Sequence, residues 1–222
     1  MMELQKHIFM TGRSGRFLAM RYGSGGINEA RNKVAAKFLE GDEDWLFWID
    51  TDMGFDGDIV DRLLESADPV ERPVMGALCF ASKEVATDGQ GGFDTFPVPT
   101  IYQWGKQPDG QTGFVSWHHY PRGEVVECAG TGSAAILIHR SVFERIAEKE
   151  SHGGPYSTIV NPADGRAFSE DLSFCIRCIE VEASIHVDTS VQTTHLKPVW
   201  LSSKQHELMM ARGLSEPEKQ SA

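Results

Sequence analysis

The sequence contains no run of roughly 18 consecutive apolar residues, the length a helix needs to cross a bilayer, so no membrane span is expected. Nor does an apolar stretch of signal-peptide length follow Met1 to His7, and a cytoplasmic protein is expected. Cysteine is scarce: Cys79, Cys128, Cys175 and Cys178 are too few and too scattered for a disulfide scaffold. The Cys175/Cys178 pair has no second pair to complete a zinc site, and reads as buried thiols on an amphipathic helix. Positive charge is also in deficit, with 21 Lys and Arg against 32 Asp and Glu and a net charge of -11. Nucleic acid is therefore not an expected partner, because sequence-independent affinity for phosphate backbones comes from clustered Lys and Arg. Repeats and low-complexity tracts are lacking too. What remains is a 222-residue chain, 41% hydrophobic and 24% charged, long enough for one domain with a substantial core. A single domain is expected over residues 1–212, with a frayed polar tail over 213–222.

The clearest element is Trp45-Leu46-Phe47-Trp48-Ile49, an unbroken apolar run ending in Asp50. Continuous hydrophobicity over a strand's length means cover on both faces and predicts a central strand of a mostly parallel, helix-flanked sheet. Upstream, Ile27, Ala30, Val34, Ala35 and Phe38 recur at helical spacing after Gly23-Ser24-Gly25-Gly26, and residues 17–22 read as a short strand. Downstream, Ile59, Val60, Leu63, Leu64 and Ala67 form the apolar face of a helix capped by Asp56, followed by a buried strand over residues 73–80. The order strand, helix, strand, helix, strand predicts an α/β domain. Residues 82–122, rich in Gly, Pro and aromatics, read as an inserted, partly antiparallel section. Residues 134–138 read as a strand, Ser141 opens a helix to about Glu150, and Ser169 caps the helix containing Cys175. Ile185-His186-Val187 is a last short strand.

Asp-x-Asp occurs three times, as Asp42/Asp44, Asp50/Asp52 and Asp56/Asp58. Position separates them. The first pair lies in a polar loop and the third in the first turn of a helix, where carboxylates are solvated or favour the dipole. Asp50 and Asp52 lie at the carboxyl end of a buried strand, the edge where open α/β sheets bind ligands. Two carboxylates converging there repel each other, and a divalent cation removes the repulsion while leaving positions for phosphate oxygens. Alternatively, the two cap the next helix or pair with Arg. Arg31 falls on the apolar stripe of its helix and needs an acidic or phosphate partner there: a phosphate, Asp50 or Glu29. His195 offers an imidazole to the cation, with Lys197 beside it for a phosphate. Glu170 and Asp171 open a helix after a long loop, where one carboxylate can cap and the other act as a general base.

Taken in order, Arg31-Asn32, Trp45 to Met53, Gly130-Thr131-Gly132-Ser133, Ser169-Glu170-Asp171 and His195 resemble the GT-A-fold glycosyltransferases. The pattern is most similar to the family-2-like enzymes encoded by tailed bacteriophages of actinobacteria, and covers about Phe17 to His195. The resemblance implies a GT-A-like, mixed but mostly parallel sheet and a nucleotide-diphospho-sugar donor. It implies Asp50 near the ribose and the metal, and Asp52 and His195 on a Mn²⁺ or Mg²⁺ that bridges the diphosphate. Gly132 and Ser133 are then near the sugar or acceptor, and Asp171 is the base on the acceptor hydroxyl. Proton abstraction alone by Asp171 gives inversion at the anomeric carbon. The acceptor is implied to be a protein or glycan, such as a virion component, and the location the host cytoplasm. The apolar strand with which the family opens has no counterpart in residues 1–16, where residues 1–10 read as a helix.

Two other enzyme readings are weaker. In haloacid-dehalogenase-like phosphatases Asp-x-Asp follows the first strand of the chain, whereas here a strand and a helix are expected before Asp50. A pyrophosphorylase-type nucleotidyltransferase needs a basic, glycine-rich loop, which Gly12-Arg13-Ser14-Gly15-Arg16 only faintly imitates. A degenerate, non-catalytic sugar- or nucleotide-binding domain is the remaining alternative. Trp104, Trp117, His118, His119 and Tyr120 offer faces for sugars, and equally read as a small satellite core.

Overall fold

The computed structural model describes residues 2–12, 15–18, 25–86, 93–107, 110–149, 153–162 and 164–197. The first half comprises α1 (Met2–Thr11), α2 (Gly26–Leu39), β1 (Trp45–Ile49), β2 (Met53–Gly54), α3 (Ile59–Ser66), β3 (Val74–Leu78), β4 (Phe80–Ala86) and β5 (Phe93–Pro99). The second comprises β6 (Ile101–Lys106), β7 (Thr112–Ser116), β8 (Val125–Cys128), β9 (Gly130–Thr131), β10 (Ala135–His139), α4 (Arg140–Lys149), α5 (Glu170–Glu180), β11 (Ile185–Gln192) and β12 (Thr194–His195).

Five strands form the main sheet in the order β1-β10-β3-β11-β8. β1, β3 and β11 share one direction, β10 runs against them between β1 and β3, and β8 runs against β11. Among the described residues, only the β3/β11 pair is parallel. The fold is thus mixed α/β, and the expectation of a mostly parallel sheet is corrected. β1 is also an edge strand among the described residues rather than a central one. An apolar run reports two covered faces and carries no information about the direction or number of in-plane neighbours. The two faces of β1 do differ, with Leu46 and Trp48 buried on one and Trp45, Phe47 and Ile49 partly buried on the other.

Helices cover both faces. Along β10, Ile136 and Ile138 join one apolar cluster and Ala135 and Leu137 the other, the period-2 alternation of a strand. On the first face α2, α4 and α5 bring Val34, Phe38, Phe143, Ile146 and Phe174. On the second, α1 brings Leu4, and α3 brings Ile59 and Leu63, four residues apart and fully buried against Met75 and Leu137. Burying such side chains stabilises the fold by about 1.5–3 kcal/mol each. The section between β3 and β10 is antiparallel, as a β4/β5 hairpin and a β7-β6-β9 sheet.

The helix expected near the start is α1. Phe17 and Leu18, where the strand expected over 17–22 begins, have no regular structure; residues 19–24, Glu150, His152 and the tail lie outside the described residues. β11 extends well beyond the three residues expected of it. Ser141 lies inside α4 and binds His139 Nδ1 rather than capping the helix, which begins at Arg140. All four cysteines are free thiols, with burial pushing Cys79 up to about 11 and Cys128 up to about 12. Among the described residues no helix is long and apolar enough to cross a membrane.

Candidate functional site

Beyond Ile49 the backbone turns tightly. The Asp50 N–H donates to the Ala134 carbonyl at 2.9 Å, and the Met53 N–H returns to the Asp50 carbonyl at 3.2 Å. β2 then pairs antiparallel with β12, placing His195 opposite Met53 and Thr194 opposite Gly54. A Cβ on Gly54 would lie 2.4 Å from Thr194 Oγ1, so a side chain there makes that exposed hydroxyl turn aside. One further bond, from the Leu196 N–H to the Asp52 carbonyl at 2.8 Å, closes the clip.

This clip brings together three residues distant in sequence. Asp52 Oδ2 lies 3.0 Å from His195 Nε2 and 3.3 Å from Lys197 Nζ. The other imidazole nitrogen, Nδ1, lies 2.8 Å from the Phe80 carbonyl oxygen. A carbonyl can only accept, so Nδ1 carries a proton and Nε2 faces the carboxylate. Burial would raise the Asp52 pKa, but hydrogen bonds from Lys197 and His195 outweigh it and hold the carboxyl below its ordinary value.

Arg31 organises the other half. It is 2% exposed, as its place on the apolar stripe of α2 required, and its guanidinium lies over the Trp48 ring at 5.0 Å and the Tyr156 ring at 5.7 Å. Nη2 donates to Asp50 Oδ1 at 3.3 Å and Nη1 to the Ser133 carbonyl at 3.4 Å, while Nε lies 3.6 Å from Glu170 Oε1. Glu29 pairs with Lys33 instead. So Arg31 is spent on protein groups and ties the end of β1 to the start of α5. Burial raises the Asp50 pKa, with Arg31 opposing and Asp52 adding to the rise. Glu170 is raised in the same way, first by burial and then by Asp171, with Asp50 adding to it. Asp52, Asp50, Glu170 and Asp171 thus act on one another as a chain of four carboxylates.

Ser169 precedes α5 as expected, yet its hydroxyl donates to Asp171 Oδ1 rather than to a backbone amide. Asp171 Oδ1 also accepts the Leu172 N–H at 2.9 Å. Oδ2 points towards Gly132, where a Cβ would lie 3.6 Å from it and 3.3 Å from Thr100. Ser133 is buried, and its Oγ is without a hydrogen-bond partner among the described residues. Trp117 and Tyr120 pack on a satellite cluster of Leu78, Ile101, Val126 and Val187, while His118 and His119 are exposed.

The role of two asparagines, Asn28 and the Asn32 that follows Arg31, was not anticipated. Asn28 donates to the Tyr156 carbonyl at 3.2 Å and to Thr158 at 2.7 Å, and Asn32 bonds the Gly153 carbonyl, Ser157 and the Tyr156 N–H. They fasten the loop that places Tyr156 under Arg31. Their spacing of four residues, on the same side of α2 as Arg31, was the available signal.

The donor atoms suit a hard cation that takes most of its ligands from phosphate and water. Two ligand atoms at about 2.1 Å and at right angles around one cation stand about 3.0 Å apart, the separation of Asp52 Oδ2 and His195 Nε2. No group of three or more His, Cys, Asp and Glu placed for a metal occurs among the described residues. Two cavities, of about 390 and 380 Å³, lie elsewhere: one around Glu71, Glu127 and His186, the other between α2, α4 and α5.

No protein-family model matches the chain, and no curated protein matches it. Among solved structures, the crystal structure of A197 from STIV is similar over 88% of this chain and 79% of that one, with a TM-score of 0.45 and 16% identity.

Proposed function

We propose that the protein is a metal-dependent glycosyltransferase with a GT-A-like fold, transferring a sugar from a nucleotide-diphospho-sugar to an acceptor hydroxyl. The observation that carries this reading is the meeting of Asp52, His195 and Lys197 at the carboxyl end of β1, beside the Asp50–Arg31–Glu170 chain. Four carboxylates against the cationic side chains of Arg31 and Lys197 leave the site short of positive charge. Asp52 and His195 would hold Mn²⁺ or Mg²⁺, which supplies charge to the departing diphosphate. Lys197, 43% exposed, is free to turn from Asp52 to a phosphate oxygen.

Arg31 has a positioning role instead of the phosphate contact that its sequence context allowed. It keeps Asp50 Oδ1 occupied, so that the other carboxylate oxygen is left for the donor. Asp171 is the base. Its Oδ1 is held by Ser169 and Leu172, which leaves Oδ2 to take the acceptor proton. As the acceptor oxygen bonds to the anomeric carbon, the carbon–oxygen bond to the diphosphate breaks and the pair of electrons leaves with the nucleoside diphosphate. Attack opposite the leaving group inverts the centre. Gly132 keeps the space beside Oδ2 open for that hydroxyl.

The test is release of nucleoside diphosphate from a panel of nucleotide-sugars with Mn²⁺. Asp52→Ala abolishes release while changing stability by about 0.5 kcal/mol or less, because an exposed ion pair contributes little. Full activity of Asp52→Ala, or release of free phosphate from simple phosphomonoesters, overturns the reading.

A further inference from the structure

Beside Asp171, one face of the β7-β6-β9 sheet has an unusual composition. Tyr102, Trp104 and Lys106 of β6 stand opposite Ser116, Phe114 and Thr112 of β7, so all six share a face. Trp104 stacks on Phe114 with ring centroids 4.5 Å apart and planes 23° apart, yet remains 49% exposed. Phe114 is buried and meets Phe168 edge-on at 6.0 Å, three residues before Asp171. An aromatic this exposed, backed by a fixed ring, is a rigid platform with little entropy left to lose on binding. Tyr102 connects it to the carboxylates: burial raises its pKa and the neighbouring Asp171 raises it further. Its ring lies 6.2 Å from that of Phe114.

We propose that this face is the acceptor subsite and that it takes a neutral carbohydrate of at least two rings, one stacked on Trp104 and the next presenting its hydroxyl to Asp171. The proposal rests on the transferase reading of the carboxylates. Phe114 links the two ends, carrying Trp104 on its face and meeting Phe168 three residues before Asp171, so a chain of rings can run from the indole to the carboxylate. Sugars present a flat C–H face to an indole and hydroxyls to a polar rim, here Lys106, Thr112, Ser116 and the Tyr102 hydroxyl. The acidic surroundings, with Glu170 and Asp171 adjacent, oppose an anionic chain.

Two measurements on the full chain separate this subsite from the transferase reading. Without donor, neutral trisaccharides of glucose and of N-acetylglucosamine are titrated into the protein and the heat of binding is followed by calorimetry. Wild-type protein binds at least one of them, Trp104→Ala weakens binding about tenfold or more, and Trp104→Tyr retains it. With Mn²⁺ and a turned-over donor, Trp104→Ala raises the acceptor KM about tenfold or more and leaves the donor KM unchanged. No saccharide binding by the wild type, an unaltered acceptor KM in Trp104→Ala, or equal use of a glycan-free protein overturns the subsite. Failure of every nucleotide-sugar to turn over defeats the transferase reading alone, because the calorimetric titration still decides whether Trp104 binds sugar.

Discussion

At the scale of single residues, two carboxylates only two positions apart have opposite environments. Asp50 is half-buried and held by Arg31, whereas Asp52 is more exposed and shared between His195 and Lys197. Arg31 is where stability concentrates. Arg31→Met leaves Asp50 and Glu170 facing each other without a cation, and is expected to cost about 3–5 kcal/mol in a urea unfolding experiment. Arg31→Lys does not restore it, because a point ammonium cannot both stack between Trp48 and Tyr156 and reach Asp50 and Ser133. Asp188, remote from the site, allows a pH test. Burial would raise it, but hydrogen bonds from Ser190 and Ser66 hold this buried carboxyl below its ordinary value. A depressed folded pKa stabilises above the unfolded value and is lost as pH falls through the folded one. Wild type is therefore expected to exceed Asp188→Ala by about 1.5–3 kcal/mol at pH 7, and the gap to close on acidification below the ordinary carboxylate range.

At the scale of elements, the β2/β12 clip decides whether Asp52 meets His195 at all. It consists of two residues on each strand, with Gly54 opposite Thr194 and Met53 opposite His195. Gly54→Ala places a methyl where the exposed Thr194 hydroxyl stands, so the hydroxyl turns aside, and Mn²⁺ binding is expected to weaken by only about twofold, measured by calorimetry or electron paramagnetic resonance. Adding Thr194→Ala removes that hydroxyl and restores affinity. α3 offers the contrasting case, in which the loss is packing alone. Leu63→Ala, at a fully buried position between α3 and the sheet, is expected to cost about 2–5 kcal/mol with Mn²⁺ affinity unchanged in the folded protein.

At the scale of the whole molecule, the net charge of -11 is mostly solvated surface, and the fold gathers a small part of it at one end of β1. The Asp52–His195–Lys197 contacts are made within the protein, so removing metal is expected to leave the fold intact. On the transferase reading, EDTA is expected to abolish nucleotide-sugar turnover without altering the far-ultraviolet circular dichroism. On the same reading, adding Mn²⁺ at 100 times its Kd is expected to raise stability by about 2.7 kcal/mol and to move Tm upward. The helices α1, α2, α3 and α5 were legible because their apolar residues recur at helical spacing, and the singling out of Asp50/Asp52 from three Asp-x-Asp pairs followed from the buried run before it. The buried place of Arg31 was legible for the same reason, from the stripe of Ile27, Ala30 and Val34.

Periodicity along one segment reports which faces of that segment are covered, and this determined the helices, the longer strands, the α/β class and the candidate residues. It holds no record of which distant segment supplies the cover. The insertion of β10 between β1 and β3, the edge position of β1 and the largely antiparallel sheet were therefore decided only in three dimensions. The same holds for the tie from Arg31 to Asp50 and Glu170, and for the clip that carries His195 and Lys197 to Asp52 across more than 140 positions of chain. Each depends on backbone hydrogen bonds and van der Waals approach between segments remote in sequence, energies that exist only once the chain has closed on itself.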